Sequence, residues 1–398
     1  MKKLICFVFP ITTLLGQINY TGSIKPGNMY RLSDQSEISL PFRLAEAEVG
    51  YSFGDFEIKT NSALEYRWSN NENEFQLREA YIMWYPSWGE VKVGKQIHAW
   101  GAVDGNNPTD NLNPYDYYYM FLPGTERKVG NISGSVKYYW NDWQFEGVII
   151  TEHAGNRFPF GERAFPLDIP ISAPKLMDAE LGSEFGIRLQ SILGSSDFSL
   201  SYFDGRDRSF SKIGTTNSMP SFFYRKTSVL GFDLVSFIGD FTNRFEIAYF
   251  STENDIEVDS ITINDASYIQ FAGQVEYSTE NNIMLSLQII GSQISEINGA
   301  ITEDEFQPGM GTPFASFTDL GLSFSLSANY FDDALELMGN TFIDLQDSQS
   351  MLVVSAKYSP INNWKLTISV SKFMGDDGTQ FHNMEYFSHL KAGLEYHF

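Results

Sequence analysis

His389-Leu-Lys-Ala-Gly-Leu-Glu-Tyr-His-Phe398 closes the chain, and this stretch decides the fold class. Counted back from the end, Phe398, Tyr396, Leu394, Ala392 and Leu390 are apolar, whereas His397, Glu395, Gly393 and Lys391 are polar or small. A strict period of two belongs to a β-strand with one apolar face and one wet face. An edge strand of a soluble sandwich would alternate in the same way. Such a strand, however, gains nothing from an aromatic residue placed last at its rim. At a membrane–water interface the same ring joins an aromatic belt. The stretch predicts a strand that crosses a membrane.

The same alternation recurs upstream. Leu320, Leu322, Phe324, Leu326 and Ala328 alternate with Gly321, Ser323, Ser325, Ser327 and Asn329. Ile269, Phe271, Gly273, Val275 and Tyr277 alternate with Gln270, Ala272, Gln274 and Glu276, and Trp364, Leu366, Ile368 and Val370 with Lys365, Thr367, Ser369 and Ser371. Tight turns fall at 54–55, 87–89, 141–142, 194–196, 239–240, 279–281, 332–333 and 360–362. Longer connections near 28–38, 68–74, 98–127, 154–180, 204–220, 253–265, 295–315, 346–349 and 374–384 separate them. Short turns on one side and long loops on the other describe an all-β, antiparallel transmembrane barrel whose long loops are extracellular. Eight turns and nine loops give eighteen strands. Sixteen is the alternative, because the first two strands, near 17–28 and 39–53, alternate least clearly. Continued from Val91 and Val93, strict alternation would put Lys95 into lipid, so a bulge near Gly94 is expected to turn it inward.

The beginning of the chain fits this reading. Met1-Lys2-Lys3 precedes an apolar run from Leu4 to Leu15, then Gly16, which reads as a signal peptide over residues 1–16 and a barrel over 17–398. Its dozen apolar residues are too few to span a bilayer as a helix. Cys6 lies within that run and is the only cysteine, so the mature chain has no disulfide. Mean hydropathy is −0.22, as expected when only alternate residues meet lipid. Net charge is −23, which makes nucleic acid an unexpected partner. The 33 Phe and 21 Tyr are enough to furnish two interfacial girdles.

The third long connection is the richest in candidate function. It runs His98-Ala-Trp100-Gly101-Ala-Val-Asp104-Gly-Asn106-Asn107-Pro108-Thr-Asp110-Asn-Leu-Asn113-Pro114-Tyr115-Asp116. A barrel this wide leaks unless a loop narrows it, and this turn-rich polar segment is the natural one. Asp104, Asp110 and Asp116 are expected to face solutes at the constriction, with Arg78, Lys95, Arg127 and Lys128 opposite them, setting up a transverse field. Asp104 to Asp110 also offers oxygen ligands suited to Ca²⁺. The spacing lacks the sixth-position Gly and twelfth-position Glu of an EF-hand, and these are also ordinary turn residues. No metal or other cofactor is therefore assigned.

Leu77-Arg78-Glu79-Ala80-Tyr81, Gly94-Lys95-Gln96, Trp100-Gly101, Asn113-Pro114-x-Asp116 and Phe185-Gly186-Ile187-Arg188 occur in this order across roughly 75–190. The set resembles a family of porin-like barrels of Gram-negative outer membranes. The chain end is similar to the terminal signature of such barrels. That resemblance implies that Phe398, Tyr396 and Leu394 are read by the barrel-assembly machinery, and that lipid and lipopolysaccharide surround the protein. It leaves open a homotrimer. It also implies passive passage of small polar solutes and says almost nothing about which ones.

Other outer loops are acidic: Glu253, Asp255, Glu257, Asp259 and Asp265 in one, Glu296, Glu303, Asp304 and Glu305 in another. A solvated surface accounts for much of this, and a weak preference for cations follows from it. Only five histidines occur, with no Gly-x-Ser-x-Gly or His-Glu-x-x-His, so no catalysis is expected. Two further readings stay in view: a non-conducting barrel that anchors surface polysaccharide, and a carrier of apolar solutes. The second needs an apolar lumen, which the polar inward faces argue against.

Overall fold

The computed structural model describes residues 17–398 apart from 168, 169, 171, 179, 262, 300–305 and 317. The expected signal peptide and the loop acids Glu303, Asp304 and Glu305 lie outside those residues. The barrel strands are β1 (Gln17–Ile24 with Gly27–Arg31), β2 (Phe42–Phe53), β3 (Phe56–Tyr66), β4 (Asn73–Trp84), β5 (Gly89–Gln96) and β6 (Asn131–Trp140), while Ser211–Thr216, Met219–Phe223 and Ser260–Ile261 pair as a separate small sheet. Next come β7 (Trp143–Ile150), β8 (Glu184–Leu193), β9 (Ser196–Arg206), β10 (Lys226–Ile238), β11 (Phe241–Glu253) and β12 (Ile263–Ser278). The last are β13 (Ile283–Gly299), β14 (Leu320–Tyr330), β15 (Leu335–Asp344), β16 (Gln349–Tyr358), β17 (Trp364–Gly375) and β18 (His389–His397). Each pairs antiparallel with its neighbours, and β18 returns to β1, so the sheet is a closed barrel of eighteen strands.

The seam that closes the barrel involves the chain's last residue. Ser23 pairs with His397 and Gly27 with Gly393, on either side of an interruption at Lys25-Pro26. Phe398 and Gly22 exchange two backbone hydrogen bonds of 3.0 Å each. The Phe398 ring lies so close that a Cβ on Gly22 would stand 2.4 Å from it. Glycine is required there by space.

All eight expected tight turns and all nine long loops are present. The turns at 54–55, 141–142, 194–195 and 239–240 have two residues and begin with a left-handed Gly or Asn, as twisted hairpins demand. Outward faces carry the apolar half of the alternation. Phe324 and Leu326 are exposed, while Asn340 bonds inward to the hydroxyls of Ser323 and Ser325 at 3.3 and 2.6 Å. Rings along the short-turn rim form a continuous chain, Tyr51–Phe53–Phe56–Trp84–Trp88–Tyr138–Phe145, with centroids 5.5 to 6.3 Å apart. An outward apolar band bounded by such a girdle needs an apolar medium around it. In line with this facing, Ser325→Cys should react quickly with a small water-soluble thiol reagent and Phe324→Cys should not. Reaction of Phe324→Cys alone would mean a register shifted by one residue.

Two sequence expectations are corrected. The bulge is absent at Gly94: Tyr81 pairs with Gly94 and Ala80 with Lys95 without a shift, and Lys95 pairs with Ile132 across β6. Lys95 therefore shares the outward face of Val93 and Ile132, which are 60% and 56% exposed. The shift falls instead opposite Asn61 and Ser62, which pair with Glu79 and Leu77 and leave Arg78 as the extra residue. Arg78 and Glu79 thus both turn inward. Gly94 (φ +138°) absorbs the local distortion without an insertion, its Cα lying where a Cβ would meet the Ala80 carbonyl at 2.3 Å.

Inward faces are also less uniformly polar than expected. Near the long loops, Val148, Ile150, Phe203, Val229, Phe250 and Tyr268 are buried against Trp100, Leu112, Phe306 and Met310. Across the barrel, Ile290, Phe342, Met351 and Phe373 are buried against Tyr115, Tyr117, Met120, Phe165, Phe381 and Phe387. Loops that fold against a wall must bury apolar surface there to offset their ordering entropy. The inward faces of β2 to β5 carry charge instead: Arg43, Glu46, Glu48, Lys59, Arg78, Glu79 and Lys92.

Candidate functional site: the third loop and the barrel wall

Residues 97–130 connect β5 to β6 and begin as a tied loop. Asn113 accepts from the His98 amide at 2.7 Å and donates to the carbonyls of Gln96 and Val129 at 3.0 and 2.9 Å. One asparagine therefore clamps both ends. His98 stacks no charge there: burial pushes its imidazole down to about 4, so it is neutral at pH 7, and Nε2 lies 3.0 Å from the Ser133 hydroxyl. The Trp100 indole donates to Glu146 of β7 at 3.2 Å.

The tip of the loop meets β11, β12 and β13. Glu246, fully buried on the inward face of β11, accepts hydrogen bonds from the Ala102 amide, the Val103 amide (2.6 Å), the Thr109 hydroxyl (2.7 Å) and Asn107 (2.9 Å). The Thr109 amide adds a longer bond of 3.4 Å. Gly101 (φ +97°) lets the backbone come this close, since a Cβ there would collide with both carboxylate oxygens. The Asp104 amide donates to Gln274, Gln288 donates to the Asp104 carbonyl, and Asn106 donates to Gln288, each at 2.8 Å. A second loop joins here, the Thr312 hydroxyl donating to Asn106 at 2.8 Å.

The three expected aspartates are all in this assembly, and each has a cationic partner. Asp104 meets Arg244 of β11 at 2.9 Å and keeps two thirds of its side chain exposed. Asp110 meets Lys128 at 3.4 Å and Asp116 meets Arg157 at 2.9 Å, both side chains being almost wholly buried. Burial pushes the Asp116 carboxyl up, against the pull of Arg157. Asp110 and Asp116 therefore do not face open water as expected.

The four expected bases are dispersed. Lys128 neutralises Asp110 and lies 3.9 Å from the centre of the Tyr115 ring. Arg127 is buried, donates to the Gly105 carbonyl and lies 5.3 Å from the centre of the same ring. Arg78 reaches Glu46 at 3.3 Å and the Thr125 carbonyl at 3.0 Å, beside the loop's returning limb. Lys95, outward on β5, runs beside Gly130 and takes no part in the lumen. The base that stands across from the loop tip is Arg244, which also holds Glu276 at 3.0 Å.

Glu246, Arg244, Arg43 and Arg157 escaped the sequence reading. Glu246 occupies a regular inward position between Phe245 and Ile247, so its facing was legible and its partners, more than 130 residues away, were not. Arg157 forks onto Glu65 at 2.9 and 2.8 Å, Tyr119 donates to the same Glu65 at 2.6 Å, and the Arg43 guanidinium lies 3.9 Å over the Tyr119 ring. Burial and the Glu65 charge push the Tyr119 phenol well up, so it stays a donor. Among the described residues, no three His, Cys, Asp or Glu side chains converge as a metal site, so the calcium reading of loop three gains no ligand set.

No protein-family model matches the chain, and no curated protein matches it. Solved structures do. OccK2 (OpdF) of Pseudomonas aeruginosa, solved in complex with glucuronate, is 9% identical with a TM-score of 0.57, over 96% of this chain and 97% of that one. A BenF-like porin from Pseudomonas fluorescens is 11% identical with a TM-score of 0.57, over 97% and 98% of the two chains. OccAB1 of Acinetobacter baumannii is 8% identical with a TM-score of 0.57, over 96% and 95%. At these identities the likeness is one of fold: this chain's closed eighteen-stranded barrel resembles outer-membrane porin structures.

Proposed function

We propose that the protein is an outer-membrane channel through which small polar solutes diffuse passively, with loop three as its constriction and a weak preference for cations. The observation that carries this reading is Glu246, a buried carboxylate on the far wall that gathers the tip of loop three from across the barrel. On this reading a loop so held narrows the lumen, and the charged inward faces of β2 to β5 line part of what remains. The porin names of structures sharing the fold support it, and the girdle and outward apolar band support a membrane location.

The polysaccharide-anchor alternative draws on one specific observation, the two apolar clusters in which loop residues pack on inward-facing wall residues. Conduction separates the two readings.

Ion preference follows from the excess of acids over bases, 50 against 27 in the whole sequence. The acids on exposed loops are screened beyond a Debye length of about 8 Å at physiological salt. Changing Asp104, Asp110 and Asp116 together to Asn leaves Arg244, Lys128 and Arg157 each with one acid fewer. The reversal potential under a salt gradient should then move toward the anion side. Deleting residues 255–263 should leave it nearly unchanged at physiological salt. A channel that prefers chloride before any substitution would refute the preference and point to Arg43, Arg78 and Lys92 as the filter.

A further inference from the structure

Among the described strand residues, four bases share the outward, apolar face of the barrel: Lys95 on β5, Arg206 on β9, Lys226 on β10 and Lys372 on β17. Arg206 and Lys226 pair with each other on the face of the exposed Leu200 and Leu230. Lys372 pairs with Leu352, which is exposed, as is Val370 two positions before it. All four lie in the last turns of sheet before a long loop, and none lies at the short-turn rim where the aromatic girdle runs. Two of them carry acids of their own: Arg206 meets Asp255 at 2.8 Å and Lys226 meets Glu253 at 3.2 Å. Lys95 and Lys372 have no acidic partner among the described residues. The Lys95 stem runs along Gly130, where a Cβ would stand 3.2 and 3.4 Å from its Cγ and Cε. Gly130 precedes β6 at the long-loop end, so the stem climbs toward the rim and carries its ammonium out of the apolar band.

We propose that Lys95 and Lys372 hold the phosphate groups of the glycolipid that forms the outer leaflet. An ammonium on a lipid-facing wall needs a counter-charge, and the chain supplies none to these two. A phosphate at the interface does so through a charge-assisted bond, with lysine acting as a point charge. Phospholipid phosphates occur at both interfaces and would call for outward bases at both rims. Confinement to the long-loop rim, which barrels of this kind turn outward, matches an anion carried by one leaflet only. A second copy of the chain would have to bring an unpaired outward acid, and Glu253 at this rim is already taken by Lys226. The proposal rests on the outer-membrane location and not on conduction.

Native mass spectrometry of the detergent-solubilised barrel, titrated with lipid A, tests it. Lipid A should bind in preference to phosphatidylglycerol and to lipid A stripped of its phosphates. The double variant Lys95→Gln, Lys372→Gln should weaken that binding about tenfold or more, as when a hydrogen bond to a charged group is lost. Lys95→Arg with Lys372→Arg should keep most of it. Lys137→Gln, which removes an inward base of β6 between the exposed Val136 and Tyr138, should bind as the unsubstituted protein does. Glutamine at these positions leaves strand pairing untouched, so every variant should assemble. Equal binding of the dephosphorylated lipid or of phosphatidylglycerol, an equal loss in Lys137→Gln, or no loss in the double variant would overturn the proposal. So would an oligomer that dissociates in the double variant while lipid A binding persists, which would make a second copy the partner.

Discussion

Replacing Glu246 with alanine should widen the channel. The carboxylate accepts from the amides of Ala102, Val103 and Thr109 and from the side chains of Thr109 and Asn107. Removing it leaves these donors unpaired in a buried place, at about 1–3 kcal/mol for each group left unsatisfied. Even with water entering, the tip of the loop loses several kcal/mol of attachment and is left held only through Asp104 and Asn106, by Gln274, Gln288, Arg244 and Thr312. Single-channel conductance should rise and become noisy, while the barrel, whose strands pair independently of the loop, assembles normally. Glu246→Gln should fall between, because one amide oxygen still accepts and the amide N–H₂ faces donors. Unchanged conductance in Glu246→Ala would show that loop three does not set the passage.

Phe398→Asp should nearly abolish assembled protein. The residue closes the seam, exchanging two hydrogen bonds with Gly22, and its ring stacks on Tyr396 at 6.3 Å within the girdle that continues to Trp364. A carboxylate there cannot fill the space over Gly22 and must be drawn from water at an apolar rim. Gly22→Val attacks the same contact from the other strand, and should have a similar effect because a Cβ already overlaps the ring. The measurement is heat-modifiable electrophoretic mobility, and normal mobility in Phe398→Asp would count against the seam. Gly22→Val distinguishes packing at the seam from reading of the chain end by assembly machinery. A loss confined to Phe398→Asp would favour recognition.

What the sequence makes legible here is what depends on neighbours in the chain. Facing in β12, β14 and β17, every tight turn and every long loop follow from period-two alternation and turn residues. The inward position of Glu246 was equally plain. Its role was not, because the role belongs to amides of a loop joined to it only by folding. The same holds for the aspartates of loop three: their loop was evident, and the bases that pair with Asp104 and Asp116 come from β11 and from the connection between β7 and β8. The bulge was misplaced for a different reason. Alternation shows that one basic residue near Gly94 must leave the apolar face or be tolerated on it, but only pairing with β3 reveals that Arg78 is the inserted residue. Inward Phe342 and Met351 read as breaks in a polar face, although they are where folded loops find their core.

The most direct test of the central claim is single-channel recording in a planar bilayer under a salt gradient. The account predicts stepwise insertion of conducting units, with a reversal potential displaced modestly to the cation side and conductance that rises in Glu246→Ala. Heat-modifiable, fully assembled barrels that produce no steps would contradict it, and would make the apolar clusters of the outer half a plug.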